Sequence, residues 1–177
     1  MLDIDVSIAS DGWRSDLPEA ESLARQAAEA VMRRAGPATD ARLELSVLFA
    51  DDDTVRDLNR GYRGKDAPTN VLSFPGEMPE TLNASAVAAG RPLPLGDVVL
   101  AHGTVTREAA EQDKPLHDHA GHLLVHGFLH LLGYDHQSDG DAAIMEALET
   151  AILAGLGIAD PYRADRCPPA TDTEAET

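Results

Sequence analysis

The stretch His126-Gly-Phe-Leu-His130-Leu-Leu-Gly133-Tyr-Asp-His136 constrains this chain more than any other. Residues four apart on a helix lie one above the other, so His126 and His130 share a face and can grip one ion. A third ligand cannot stay on that face. Gly133 supplies the left-handed conformation that ends a helix and reverses the chain, which lets His136 return to the same point. Histidine pairs at this spacing are commonplace on helices. A third histidine placed beyond a glycine reversal is not. Three neutral imidazoles suit a single zinc ion and leave a fourth position open for water, as in catalytic rather than structural sites. The expectation is one Zn2+ per chain on His126, His130 and His136.

The spacing is that of the zinc-binding pattern H-x-x-x-H-x-x-G-x-x-H of the metzincin proteases. Those enzymes place a glutamate directly after the first histidine, where it takes a proton from the zinc-bound water. Here that position is Gly127, which has no side chain to act as a base. A bound zinc would still acidify its water to a pKa of about 7. A peptidase built this way would lack its main proton carrier, so ordinary metalloprotease activity is not the leading reading.

A second cluster runs Arg60-Gly-Tyr62-Arg63-Gly-Lys65-Asp66-Ala-Pro68-Thr69-Asn70-Val71-Leu72-Ser73-Phe74-Pro75. Three cations fall within six residues of a chain that has only 14 in all. Arginine's planar fork matches phosphate oxygens, and the flanking glycines are read as a turn that lets backbone approach a ligand. Gly64-Lys65 is not a Walker A loop, because no Ser or Thr follows and the first glycine is misplaced. By itself the cluster is equally a solvated turn.

Charge limits what such a site can bind. The net charge of −17 opposes non-specific association with nucleic acid. Part of the excess lies between Ala164 and Thr177, with four acids against one arginine. Any phosphate site must therefore be a local basic patch. The content of 43% hydrophobic and 25% charged residues is that of an ordinary globular protein. No apolar run is long enough for a membrane span, and the acidic N-terminus does not read as a signal peptide. Cys167 has no partner in the chain, consistent with a reducing compartment, and a cytoplasmic location is expected.

Along the chain, Leu2, Ile4, Val6 and Ile8 alternate as a strand, as do Leu43, Leu45, Val47 and Phe49. Helical spacing runs from Pro18 to Ala35, stopped by Gly36-Pro37. Asp51 to Asp53 can cap a short helix carrying Val55 and Leu58. Asn70–Phe74 and Gly96–Ala101 read as extended segments, and Glu77–Pro94 reads as a surface loop. Helices are expected over Val105–Gln112, Leu116–Leu132 and Ala142–Leu156. Strands come first and long helices later, which predicts an α+β fold with a small mixed β-sheet packed with helices. One domain is expected over residues 1–160, followed by an acidic, disordered tail over 161–177.

With these motifs in place, the chain resembles the YbeY-type bacterial endoribonucleases, also described as rRNA maturation factors. The resemblance rests on Tyr62–Asp66 with Pro68–Pro75, on Leu95-Gly-Asp-Val98, and on the H-G-x-L-H-L-x-G-Y-D-H form of residues 126–136. It implies a zincin-like metal-binding helix in an α+β fold, with zinc on His126, His130 and His136 and an essential arginine at Arg63. It also implies a single-strand-specific, metal-dependent endoribonuclease acting in 16S rRNA 3′-end maturation and ribosome quality control. The partners implied are an rRNA precursor and the small ribosomal subunit or its proteins, with no membrane.

Read chemically, Arg63 would hold the scissile phosphate and counter the charge that develops on it. Lys65 either guides the strand or pairs with Asp66. Asp135 is expected to orient a histidine rather than to carry protons. His122, one turn before His126, is expected at the cleft border or in the core. His117 and His119 are expected to face solvent, and His102 is left open. Met145 is expected in the core. A zinc peptidase with a base from elsewhere, and a non-catalytic ribosome-assembly factor with structural zinc, are the alternatives.

Overall fold

The computed structural model describes residues 1–76 and 92–163. Four strands, β1 (Leu2–Ile8), β2 (Leu43–Ala50), β3 (Val71–Pro75) and β4 (Leu93–Ala101), form one sheet in the order β1-β2-β4-β3. β1 and β2 run parallel, as do β2 and β4, while β3 pairs antiparallel with β4. β3 is thus an edge strand. Six helices accompany the sheet among the described residues: α1 (Asp11–Asp16), α2 (Ala20–Ala35), α3 (Asp52–Arg63), α4 (His102–Glu111), α5 (Leu116–Leu131) and α6 (Asp139–Gly155). The fold is mixed α+β, as the element order predicts.

The main core lies where α2, α5 and α6 cover one face of the sheet. Leu45, Val47, Phe49, Val98 and Leu100 point into it and meet Ala24, Val31, Leu124, Phe128, Met145 and Leu153. The opposite face is covered by α3, with Val55 and Leu58 against Leu72 and Val99. Being buried on both faces, β4 reads as a nearly continuous apolar run instead of an alternating one. No helix among the described residues is long and apolar enough to cross a membrane.

Three boundaries differ from the sequence reading. β4 begins at Leu93, inside the expected Glu77–Pro94 loop, of which residues 77–91 lie outside the described residues. Pro94 and Gly96 disguise the strand. Proline is tolerated because β3 has ended at the level of Gly96, so Pro94 has a paired neighbour on one side only. Gly96 adopts φ +131°, and a Cβ there would meet the Phe74 carbonyl oxygen at 2.1 Å. α1 was not anticipated. It is too short for periodicity and is held by Trp13, which is fully buried and donates its indole N–H to the Ala50 carbonyl at 2.9 Å.

The third difference concerns the basic cluster. Asp51 caps α3 as expected, accepting from the Thr54 N–H at 2.8 Å. The helix then continues through Arg60-Gly-Tyr-Arg63 and ends at Gly64, which is left-handed with φ 67°. Arg63 therefore sits on the last turn of a helix and not in a glycine-flanked turn. The neighbouring Asp52 reaches across to α4, where it accepts from the Thr104 N–H and hydroxyl, both at 2.9 Å. The expected tail begins at residue 161, and residues 164–177 lie outside the described residues.

Candidate metal centre

α5 carries His126 and His130 on one face, and its end turns as the sequence predicts. The Gly133 N–H donates to the His130 carbonyl at 3.0 Å and the Tyr134 N–H to the Leu129 carbonyl at 3.1 Å, with Gly133 at φ 89°. This pair of bonds is the left-handed helix stop of the Schellman type. It brings His136 back over the helix, with its ring centroid 5.1 Å from His130 and 5.8 Å from His126. One ring nitrogen from each of the three histidines lies within 4.8 Å of the others.

The partners of these rings decide their chemistry. His126 Nδ1 lies 2.7 Å from Glu149 Oε1, and His130 Nδ1 lies 2.9 Å from the Tyr134 carbonyl oxygen. A carbonyl accepts only, as does an ionised carboxylate, so both Nδ1 atoms carry the proton. In the neutral rings each Nε2 is then a bare lone pair. These two Nε2 atoms face each other at 3.0 Å. Two lone pairs at that distance repel unless a cation or a shared proton lies between them. Burial, followed by the neighbouring His126 charge, moves the His130 pKa below its ordinary value, which favours the neutral, ligating form. The donor set fits a zinc ion.

Glu149, on α6, was not singled out from the sequence. It is fully buried, and besides His126 it meets His122 Nε2 at 3.3 Å and accepts from the Tyr162 hydroxyl. Burial pushes its carboxyl up, yet hydrogen bonds from His122, His126 and Tyr162, with the His126 charge, outweigh that and hold it at about 2. The available signal was its position. Met145, Glu149, Ile152 and Leu153 share the buried face of α6, and an acid on such a face requires a partner.

Arg63 lines the same cleft as the three histidines, a cavity of about 590 Å³ walled also by Val71, Ser73 and Pro75 of β3. Among the described residues its side chain has no ion pair. Arg60 instead pairs with Asp57 at 2.8 Å and Asp66 at 3.7 Å, and Arg56 pairs with Asp66 at 2.8 Å. Asp66 is therefore satisfied by arginines and not by Lys65, which does not line the cleft. Of the three cations in the basic cluster, Arg63 alone faces the histidines.

The remaining histidines divide differently from expectation. His119 is buried instead of facing solvent, with Nε2 2.8 Å from Glu108 Oε2. His117 is partly exposed beside Asp118. His102 packs edge-on to Trp13 at 5.3 Å and meets Asp16 at 2.9 Å. Asp135 accepts from the His136 backbone N–H at 2.7 Å and lies 3.7 Å from its ring. Met145 is buried in the core, as expected.

Fold and site together define a mixed α+β protein with a three-histidine cluster suited to a metal, set at the end of a buried helix. The profile of the family described as Endoribonuclease YbeY matches residues 7–157. An Endoribonuclease YbeY of Paramagnetospirillum magneticum is 51% identical over 161 residues, covering 91% of this chain and 96% of the relative. One from Rhodopseudomonas palustris is 50% identical over 159 residues, covering 89% and 80%. The solution structure of TM1509 from Thermotoga maritima shares the fold with a TM-score of 0.52 at 21% identity, over 96% of this chain and 99% of that one. The chain belongs to the YbeY endoribonuclease family.

Proposed function

We propose that this protein is a single-strand-specific, zinc-dependent endoribonuclease that cleaves RNA phosphodiester bonds. The observation that carries the reading is the placement of Arg63, which has no ion pair among the described residues, in one cleft with His126, His130 and His136. When bound, a zinc ion would supply Lewis acidity and an acidified water. The three imidazoles hold it, and the Nδ1 contacts to Glu149 and Tyr134 keep the ligating atoms aimed inward. Arg63 grips the phosphate by a two-pronged contact and offsets the charge that grows on its oxygens.

The cellular role we assign is 16S rRNA 3′-end maturation and ribosome quality control in the cytoplasm, with an rRNA precursor and the small ribosomal subunit or its proteins as partners. Family membership supports this role. The peptidase alternative is weakened by Gly127. A Cβ there would lie 3.0 Å from Val98 Cγ1 and 3.1 Å from Ser73 Oγ, so a side chain at the position of the protease base is crowded by the sheet.

The test incubates zinc-loaded protein with labelled single-stranded RNA, the same RNA as a duplex, and an unstructured peptide, each with and without chelator. Cleavage of the single strand alone, abolished by chelator, is expected. Cleavage of the peptide, or chelator-resistant RNA cleavage, would overturn the reading.

A further inference from the structure

A charged carboxyl in the centre of a core needs a reason. Glu149 is fully buried beside Met145, Ile152 and Leu153 on α6, where an apolar side chain would fill the space without desolvating a charge. All three of its partners among the described residues donate. Oε1 faces His126 Nδ1 at 2.7 Å, while Oε2 takes His122 Nε2 at 3.3 Å and the Tyr162 hydroxyl.

We infer that Glu149 is the positioning residue of the metal site, fixing the tautomer and tilt of His126, with His122 and Tyr162 bracing its carboxylate. The inference rests on the zinc reading of the three histidines. With the Nδ1 proton held by Glu149, the His126 Nε2 lone pair points at His130 Nε2, 3.0 Å away, and the negative charge behind the ring makes it a stronger donor to a cation. His122 touches the carboxylate and not the ligand cluster, with its ring 6.3 Å from that of His126. Tyr162 packs edge-on to His122 at 5.6 Å and so ties the segment after α6 to the back of the metal site.

The same atoms have a competing interpretation, because His122, His126 and Glu149 also offer atoms within 4.8 Å of one another. A second ion there would have to displace the His126 Nδ1 proton and the Tyr162 hydroxyl from an oxygen pair already satisfied. Bracing leaves every one of these bonds intact.

The experiment measures zinc stoichiometry and affinity by competition with a chromogenic chelator, together with the visible spectrum of the cobalt(II) form and the melting of the metal-free proteins. Four proteins are compared: unmodified, Glu149→Gln, Tyr162→Phe and Ile152→Val. The unmodified protein is expected to bind one zinc. Glu149→Gln puts an amide donor against donors and is expected to weaken zinc binding about ten- to a hundredfold and to alter the cobalt spectrum. Ile152→Val, buried on the same helix, is expected to lower the melting temperature and leave affinity unchanged. If Glu149→Gln fails to fold, Tyr162→Phe decides: a several-fold loss of affinity supports the role, and unchanged affinity overturns it. Unaltered affinity in a folded Glu149→Gln, or two zinc ions per unmodified chain, would also overturn it. No zinc binding by the unmodified protein would overturn this inference and the metal reading together.

Discussion

The Ser73 hydroxyl donates to the Gly127 carbonyl at 3.3 Å, joining the edge strand β3 to the metal-binding helix at the floor of the cleft. The contact needs the two backbones close, and the missing side chain at residue 127 permits it. Replacing Gly127 with glutamate restores the protease pattern in sequence but drives a side chain into Val98 and Ser73. Overpacking of this kind costs about 1–3 kcal/mol. Gly127→Glu is expected to be less stable to denaturant by about that amount and to show no cleavage of an unstructured peptide. Peptidase activity in this variant would mean that the helix can shift to admit a base.

Zinc loading provides the most direct test of the ligand set. His126→Ala or His130→Ala leaves two imidazoles, and either variant is expected to lose its zinc on dialysis while retaining its secondary structure. Metal analysis and circular dichroism check both. Full occupancy in both variants would remove these residues from the site.

Much of this site could be read before the structure, because its signals are local. Three histidines and a glycine within one helix and its turn fix their own geometry, and α5 ends at Gly133 as the spacing requires. Glu149 was hidden because its partners come from elsewhere: His126 is 23 residues away in sequence, and the connecting turn leaves no pattern. His119 was misjudged for the same reason, since the group that meets its Nε2 is Glu108 on α4. In β4, Pro94 and Gly96 carry loop-like local preferences that pairing with β2 overrides. The length of α3 was missed because Gly61 suggested a turn, whereas the helix tolerates it on an open surface.

Arg63 separates an enzyme from a binding protein. Arg63→Ala is expected to reduce the RNA cleavage rate by about 10²–10³-fold, the usual loss when one donor to a developing charge is removed. Zinc content and melting temperature are expected to be unchanged, because the residue is exposed and has no ion pair among the described residues. Lysine should restore only part of the activity, since a point charge cannot form the paired contact. An Arg63→Ala protein that cleaves at the unmodified rate would exclude this arginine from the reaction.

The helix that presents Arg63 depends on its cap. Asp51→Ala removes the acceptor for the Thr54 N–H and is expected to cost about 1 kcal/mol. Hydrogen bonds from Thr54 hold the Asp51 carboxyl below its ordinary value of 3.8. A carboxyl depressed in the folded state contributes stability above its unfolded value and loses it as pH falls through the folded one. The stability difference between the two proteins, measured by urea denaturation, is thus expected to be full at neutral pH and to shrink below about pH 4. A difference that stays constant at lower pH would assign the loss to something other than the charged cap.

Two truncations probe what the segment after α6 contributes. A chain ending at Arg163 removes an acidic stretch and keeps Tyr162, whose hydroxyl donates to Glu149. It is expected to melt and bind zinc as the full chain does. A chain ending at Asp160 removes Tyr162 as well. Among the described residues Glu149 Oε2 then keeps the 3.3 Å contact to His122 alone, and water gains access to a carboxylate that was fully buried. With one of its three hydrogen bonds gone, the carboxylate holds His126 less firmly, and zinc binding is expected to weaken several-fold, with a lower melting temperature. Chelator competition on the two truncated proteins side by side measures the difference. Equal affinities would remove Tyr162 from the support of the carboxylate and count against the bracing role. A large loss already at Arg163 would place a required contact between residues 164 and 177.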